Sequence, residues 1–434
     1  MSILVLKFGG TSVGSVDLIK SAAQIIKKEH DSGHDIAVVV SAMSGTTNKL
    51  IDNISLIKTQ DNAEYDAIVS SGEQVTAGLM ALALKELSIP ARSWLGWQLP
   101  IFTSGNHRHS VISKIENKKI LEGFVNRQVA VVAGFQGVST EGRITTIGRG
   151  GSDNTAVFLA SSLNADRCDI YTDDDGVYTT DPRMADNVKR LDKVSYEEMI
   201  EMSSQGAKVL QTSSVESAIN HNVKIHVRST FHPDSMGTLI SEDVLNNESQ
   251  AVTGVAYSKD EAKVTVIGLV DQPGIAASIF NSLSSKNINV DMIVQNNFIE
   301  RKETNLTFTV PVVDLRQSLS VLEELKNSIS FEKVISEDNL SKVSIIGAGM
   351  RNQPGIAAKM FDCLSKNNIN IEVISTSEIK ISVLIDMAKT EEAVKSLHQI
   401  FELELGIRIR NGSSYVRFDL VPGMLDWNMP DSQR

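Results

Sequence analysis

The chain has 434 residues, room for two to four domains at about 100–200 residues each, and its 41% hydrophobic and 22% charged residues exclude wholesale disorder. With 53 acidic against 42 basic residues the net charge is −11, which excludes a protein that coats nucleic acid but not a pocket for a small anion, since a pocket is governed by its local field. Cys168 and Cys363 match neither a zinc spacing nor a disulfide framework, the start MSILVLKFGG meets Lys7 too early for a signal peptide, and no stretch approaches the ~20 apolar residues of a bilayer span. The expectation is a cytoplasmic protein with no membrane or nucleic-acid partner.

Up to about residue 240, short apolar runs alternate with helical patterns. Ile3–Leu6 is followed by a glycine turn and a helix near Asp17–Lys28; Ile36–Val40, Val129–Ala133, Ile170–Tyr171 and Lys224–Val227 read as further strands. Val- and Ile-rich runs without polar alternation are what a sheet covered on both faces requires. The reading is a three-layer αβα sandwich with a mainly parallel sheet, whose ligands sit at the carboxyl ends of the strands.

Four glycine- or hydroxyl-rich turns could carry chemistry. Lys7-Phe8-Gly9-Gly10-Thr11-Ser12 sets a cation and bare amides before a helix, an arrangement that can cradle phosphate; a strand–turn–helix needing glycine only for its dihedrals has the same spelling. It contains neither GxxxxGK[ST] nor GxGxxG. Ser70-Ser71-Gly72-Glu73 opens a helix over Gln74–Lys85, where Glu73 either complements the helix dipole or meets a substrate ammonium; the small-residue turn Ser41–Asn48 is of the same ambiguous kind. Gly148-Arg149-Gly150-Gly151-Ser152-Asp153 opens the helix Ala156–Leu163, with Ser152 or Asp153 as its cap and Arg149 as a planar fork for a carboxylate or phosphate. The acidic run Tyr171–Arg183 fails the EF-hand spacing and suits either a nucleotide whose Mg²⁺ rides on its phosphates or a plain turn. The eight histidines show no ligand or triad spacing, and His30, His34, His107 and His109 read as surface or structural.

After a polar connector at Ser241–Gln250 the chain repeats itself at an offset of 81 residues: Gln272–Ile293 and Gln353–Ile374 share 13 of 22 positions. Each copy reads as a strand (Val264–Leu269; Val343–Gly347), a Pro-Gly turn and a helix. A second strand follows (Ile288–Val294 in the first), then a third (Asn305–Val310; Lys380–Asp386) and a second helix (Leu315–Lys326; Glu391–Phe401). This is the order of a ferredoxin-like βαββαβ unit of about 70 residues, twice over. A paired module with a site at the shared edge is expected.

KFGGTS, SAMSGTTN, SSGEQ, GRGGSDNTA, YTDDDGVYTTDPR and GAKVLQ, in this order and followed by the tandem repeat, resemble the aspartate kinases of the amino-acid kinase family with paired regulatory ACT domains. The resemblance runs to about residue 410 and implies transfer of the ATP γ-phosphoryl group to the side-chain carboxylate of L-aspartate. It implies that Lys7, Gly9 and Gly10 meet the transferring phosphate, with Phe8 and Ser41 on the nucleotide side. Thr46, Thr47 and Glu73 would hold aspartate, Glu73 taking its ammonium. Arg149 would fork onto a carboxylate beside Gly150, Gly151 and Ser152, with Asp153 among the catalytic groups. Thr172, Asp173, Tyr178, Asp181, Pro182, Arg183 and Lys208 would line the ATP pocket, with Mg²⁺ held mainly by the phosphates and no metal site on the protein. Lysine or threonine, or both, would act near Asp271, Ala276, Asn289, Gln295, Asn370 and Ile371. The family pattern further implies that a strand at Val252–Tyr257 completes the second ACT fold, and that a dimer or dimer of dimers forms through these domains. The expected boundaries are 1–245 for the catalytic part, 246–262 for the linker, 263–336 and 337–412 for the ACT domains, and a tail at 413–434 without a family counterpart. Asp174 stands where a small apolar residue is commoner. A non-catalytic amino-acid sensor and a related carboxylate or carbamate kinase are the competing readings.

Overall fold

The computed structural model describes residues 2–148, 150–205, 209–242, 251–298, 303–326 and 328–404. Arg149, Lys208, most of the connector and the tail, about which the sequence raises expectations, lie outside these.

Strand Ile3–Phe8 is buried along nearly its whole length and pairs in parallel with Asp35–Val40 on one side and Arg167–Thr172 on the other. The eight-stranded sheet runs Lys193–Val194, Thr238–Ile240, Ile225–Ser229, Arg167–Thr172, Ile3–Phe8, Asp35–Val40, Val129–Ala133, Ala91–Trp94, and only the pair Ile225–Ser229 and Thr238–Ile240 is antiparallel. Alternate side chains feed two cores: Leu4, Leu6 and Phe8 pack with the helices Val16–Asp31 and Ser71–Glu86, while Val5, Val39 and Val132 pack with Gly151–Ser162 and Thr212–His221. This is the αβα sandwich. Chain order reverses at Ile3–Phe8, so a crevice opens at its carboxyl end, where ligands of such sheets bind.

Two features were not foreseen. A four-stranded sheet, ordered Val111–Ile115, Ile101–Ser104, Gln136–Val138, Ile144–Thr146, sits beside the main one and delivers the chain to Gly148. The run Asn62–Glu86 is long and apolar enough to cross a membrane by length and composition, contrary to the sequence expectation. Its Ala77, Met80, Ala81 and Leu84 are buried in the sandwich core, which makes it a core helix.

The repeats share one six-stranded antiparallel sheet. Strand Gly254–Val270 is much longer than either repeat suggests, because it serves both copies: Gly254–Ser258 pairs with Lys342–Ile346, and Lys263–Ile267 with Lys333–Glu337. Each Pro-Gly turn ends in a glycine with positive φ, Gly274 at 97° and Gly355 at 91°, a conformation glycine adopts freely, and these cap Ile275–Ser284 and Ile356–Lys366. The expected strand from Ile288 begins only at Ile293, after the polar Asn289 and Asp291. The second copy is bonded to the catalytic half. Val255 N–H donates to Thr179 O (2.7 Å), Thr179 Oγ1 meets His398 Nε2 (2.8 Å), and Glu198 accepts from Thr253 Oγ1 (2.6 Å) and Ala348 N–H (3.0 Å).

Candidate active site

Three helix starts and the end of the central strand converge on one cleft of about 300 Å³. Phe8 stacks on Tyr171 with centroids 4.8 Å apart, and Gly9 N–H donates to Tyr171 O at 3.2 Å, which fixes the glycine turn on the neighbouring strand. A Cβ on Gly10 would stand 3.0 Å from Ala42 O, so this turn and the one after Asp35–Val40 pack backbone to backbone, and Ser44 N–H donates to Gly10 O (3.2 Å). Gly45 (φ 78°) starts the helix Thr46–Ser55, and Gly150 (φ 73°) starts Gly151–Ser162. Neither helix has a side-chain cap, so, apart from Thr46 N–H, which donates to Met43 O (3.0 Å), their first-turn amides, with the positive end of the helix dipole behind them, are open to an anion. The expected caps Ser152 and Asp153 instead lie inside the first turn, because Gly150 adopts the capping conformation.

The cleft brings together Lys7, Gly10, Ser41, Thr47, Glu73, Gly150, Gly151, Ser152 and Asp153. Gly9 adjoins Lys7, a Cβ there lying 3.5 Å from Nζ, and the Thr46 methyl packs near Gly72. Phe8 supports the turn from the core. Lys7 Nζ stands 2.5 Å from Asp153 Oδ1, a charge contact outside hydrogen-bond alignment. Glu73 accepts from Ala42 N–H through Oε1 (3.0 Å), while Oε2 is buried without a hydrogen-bond partner. Burial pushes the Glu73 carboxyl up to about 7 against the pull of the Ala42 amide.

Thr172, Asp173, Tyr178, Asp181, Pro182 and Arg183 do not line this cleft; they lie on the segment that follows Tyr171. Thr172 Oγ1 donates to Asp173 (2.9 Å), Tyr178 OH to Asp175 (2.5 Å), and Asp181 accepts from Arg183 Nε (3.0 Å) and Tyr257 OH (3.1 Å). Arg183 holds the Asp181 carboxyl below its ordinary value; burial and Asp175 push the Tyr178 phenol up to about 12, and burial with Asp173 raises the exposed Asp174. In the regulatory sheet Asp271 and Ala276 flank the first Pro-Gly turn, and Asn289, Gln295, Asn370 and Ile371 lie around the edge strands. Asn370 Nδ2 donates to Glu372 (3.0 Å), whose other oxygen meets Lys263 of the shared strand (2.9 Å).

Sequence reasoning missed Phe135 and Asp66. Phe135 lines the cleft with φ 65°, strained for an aromatic residue, and its ring would meet any Cβ on Gly151 at 2.8 Å. Asp66 is fully buried. The glycines flanking Phe135-Gln136 are the signal that could have found the first; nothing in the local sequence marks Asp66.

The amino acid kinase family matches residues 2–229, and the ACT domain matches 264–325 and 343–401. The chain belongs to the amino acid kinase family and carries ACT domains. Within that family its relatives are aspartate kinases: that of Stutzerimonas stutzeri is 48% identical over 93% of this chain and 98% of its own length, and that of Pseudomonas aeruginosa 46% over 94% and 99%. Aspartokinase III of E. coli, solved with aspartate and ADP, superimposes with a TM-score of 0.77 at 26% identity, covering 92% of this chain and 99% of its own.

Proposed function

We propose that aspartate lies between Glu73 and the Gly150–Ser152 amides, with the γ-phosphate of ATP against Lys7, Gly9 and Gly10. The chain is an ATP-dependent aspartate kinase that makes 4-phospho-L-aspartate, the first step toward lysine, threonine and methionine. The observation that carries the site reading is the pair of poles in one cleft: a lysine set beside uncapped helix amides, and in the same lining a buried carboxyl oxygen without a hydrogen-bond partner. The acceptor carboxylate is already ionised at neutral pH (reference pKa ~3.9), so no general base is required. The difficulty is to bring two anions together, and the remedy is positioning and charge stabilisation by Lys7 and the amides. Asp153 keeps Lys7 at the end of its strand. Glu73 would take the substrate ammonium, Thr46, Thr47, Arg149 and Ser152 its carboxylates. Phe8, Ser41 and the segment bearing Thr172, Asp173, Tyr178, Asp181, Pro182 and Arg183, with Lys208, would hold the nucleotide. Among the described residues no three His, Cys, Asp or Glu side chains gather as a metal cluster; Mg²⁺ would ride chiefly on the phosphates, where it neutralises developing charge.

Lysine or threonine would bind near Asp271, Ala276, Asn289, Gln295, Asn370 and Ile371. E. coli aspartokinase III has been solved with lysine and aspartate, at a TM-score of 0.73 to this chain. The bonds from Thr179, Asp181 and Glu198 to the second repeat supply a route from such an effector to that segment. The boundaries 1–245, 246–262, 263–336, 337–412 and 413–434 remain our division, and the pairing of Gly254–Ser258 with Lys342–Ile346 supports a first repeat inserted into the second. We also assign a cytoplasmic homo-oligomer, in keeping with two buried free cysteines. Aspartate-dependent ADP release, measured with and without millimolar lysine and threonine, tests both parts. No release with aspartate removes the activity; release unaltered by either amino acid removes the regulation.

A further inference from the structure

We infer that Asp66, gripped by Thr146 and His107, is a positioning residue that sets the length of the amino-acid pocket and so favours aspartate over its one-carbon homologue; this rests on the placement of aspartate between Glu73 and the glycine loop. Asp66 lies in the helix Asn62–Val69 and is fully buried. A buried carboxyl group is tolerated only with its partners in place, and Asp66 has three: Thr146 Oγ1 donates to Oδ1 (2.6 Å), Arg108 N–H to both oxygens (3.1 Å each), and His107 Nδ1 meets Oδ2 (2.6 Å).

The position of these partners gives the contact its meaning. Glu73 follows Asp66 by seven residues, two turns along an almost continuous helical run, so the two share one face. Thr146 ends the strand Ile144–Thr146, two residues before Gly148, which lines the cleft. Gln136 pairs with Thr146 across the small sheet, and its Nε2 donates to Ser70 O at 3.0 Å, where the helix carrying Glu73 begins. One cross-strand pair therefore holds the acidic wall of the pocket at Asp66 and Ser70, while its own strand leads into the amide wall. The loop bearing His107 leans on the same place, because His109 Nδ1 would lie 3.4 Å from a Cβ on Gly148. The separation of the two walls must match the span from ammonium to carboxylate of the substrate. A pocket held rigidly at that span rejects a homologue one methylene longer.

The test compares Thr146→Val, which keeps shape and removes the donor, with Thr146→Ser, which keeps the hydroxyl. We expect Thr146→Val to raise the aspartate KM about tenfold, the scale of one lost hydrogen bond, to leave the ATP KM within about twofold, and to narrow the kcat/KM preference for aspartate over glutamate; Thr146→Ser should restore all three. His107→Ala, at a partly exposed donor, should act in the same direction even if the valine variant does not fold, with recovery in His107→Asn. A change in both KM values alike, or an unchanged aspartate-to-glutamate preference, overturns the inference. Glu73→Gln is the control. If it raises the aspartate KM and the clamp variants do not, only the clamp is wrong; if it leaves the aspartate KM unmoved, the pocket reading falls and the clamp with it.

Discussion

Two acids face the cleft from equivalent places. Asp153 and Glu73 are each the third residue of a helix that starts there, and they are 8% and 4% exposed. Yet Asp153 has an ammonium 2.5 Å away, and Glu73 has one backbone amide and an idle oxygen. Burial without a counter-charge is what pushes the Glu73 carboxyl up to about 7. The difference teaches which end of the cleft is finished within the chain and which end waits. The Lys7 end carries its own cation, held by its own anion, and is where we propose the phosphoryl group sits. The Glu73 end lacks a cation among the described residues, and in the function we propose the substrate ammonium supplies one.

Removing the cation breaks the contrast most severely. Lys7→Ala leaves both acids without a counter-charge among the described residues and takes away the ammonium beside the glycine turn. We expect kcat to fall at least ~10²-fold, the loss of one preorganised donor, with nucleotide binding retained in a direct titration; near-normal turnover would refute the role. Glu73→Gln sharpens the contrast from the other end. It keeps the acceptor for the Ala42 amide but cannot carry charge, and the aspartate KM should rise about 10- to 100-fold, the scale of losing an ion-paired hydrogen bond, while the ATP KM holds. Equal effects on both substrates would count against the ammonium assignment.

Much of the completed end was legible in the sequence, because Lys7, Gly9 and Gly10 follow an apolar run whose burial on both faces is plain from its composition. The waiting end was only half legible. Glu73 looks like any first-turn acid until the helix Ser71–Glu86 is seen packed with Gly72 against Ala42, where a Cβ would lie 2.7 Å from the alanine methyl. Asp66 and Thr146 stand 80 residues apart, and their bond depends on a small sheet whose strands of three to five residues carry too little periodicity to be read. The shared strand Gly254–Val270 was read short for a similar reason: its middle, Ser258–Glu261, is polar because it crosses between the two repeats and belongs wholly to neither core.

Acidity gives the finest test of the contrast. Below about pH 7 the Glu73 carboxyl holds a proton and presents no charge to an ammonium; above it, the carboxylate does. The aspartate KM should therefore fall about tenfold from about pH 6 to about pH 8, and the Glu73→Gln enzyme should show no such fall. Stability follows with the opposite sign. The folded chain holds this proton more tightly than the unfolded one, whose glutamate titrates near its ordinary value of 4.5. The contribution is therefore complete below that value and is lost as pH rises through about 7. An ammonium bound at Glu73 offsets the loss, so aspartate should raise the melting temperature of the wild-type chain more at about pH 8 than at about pH 6. A stabilisation by aspartate that ignores pH, or that depends on it equally in Glu73→Gln, would mean that the partner of the amino group lies elsewhere in the cleft.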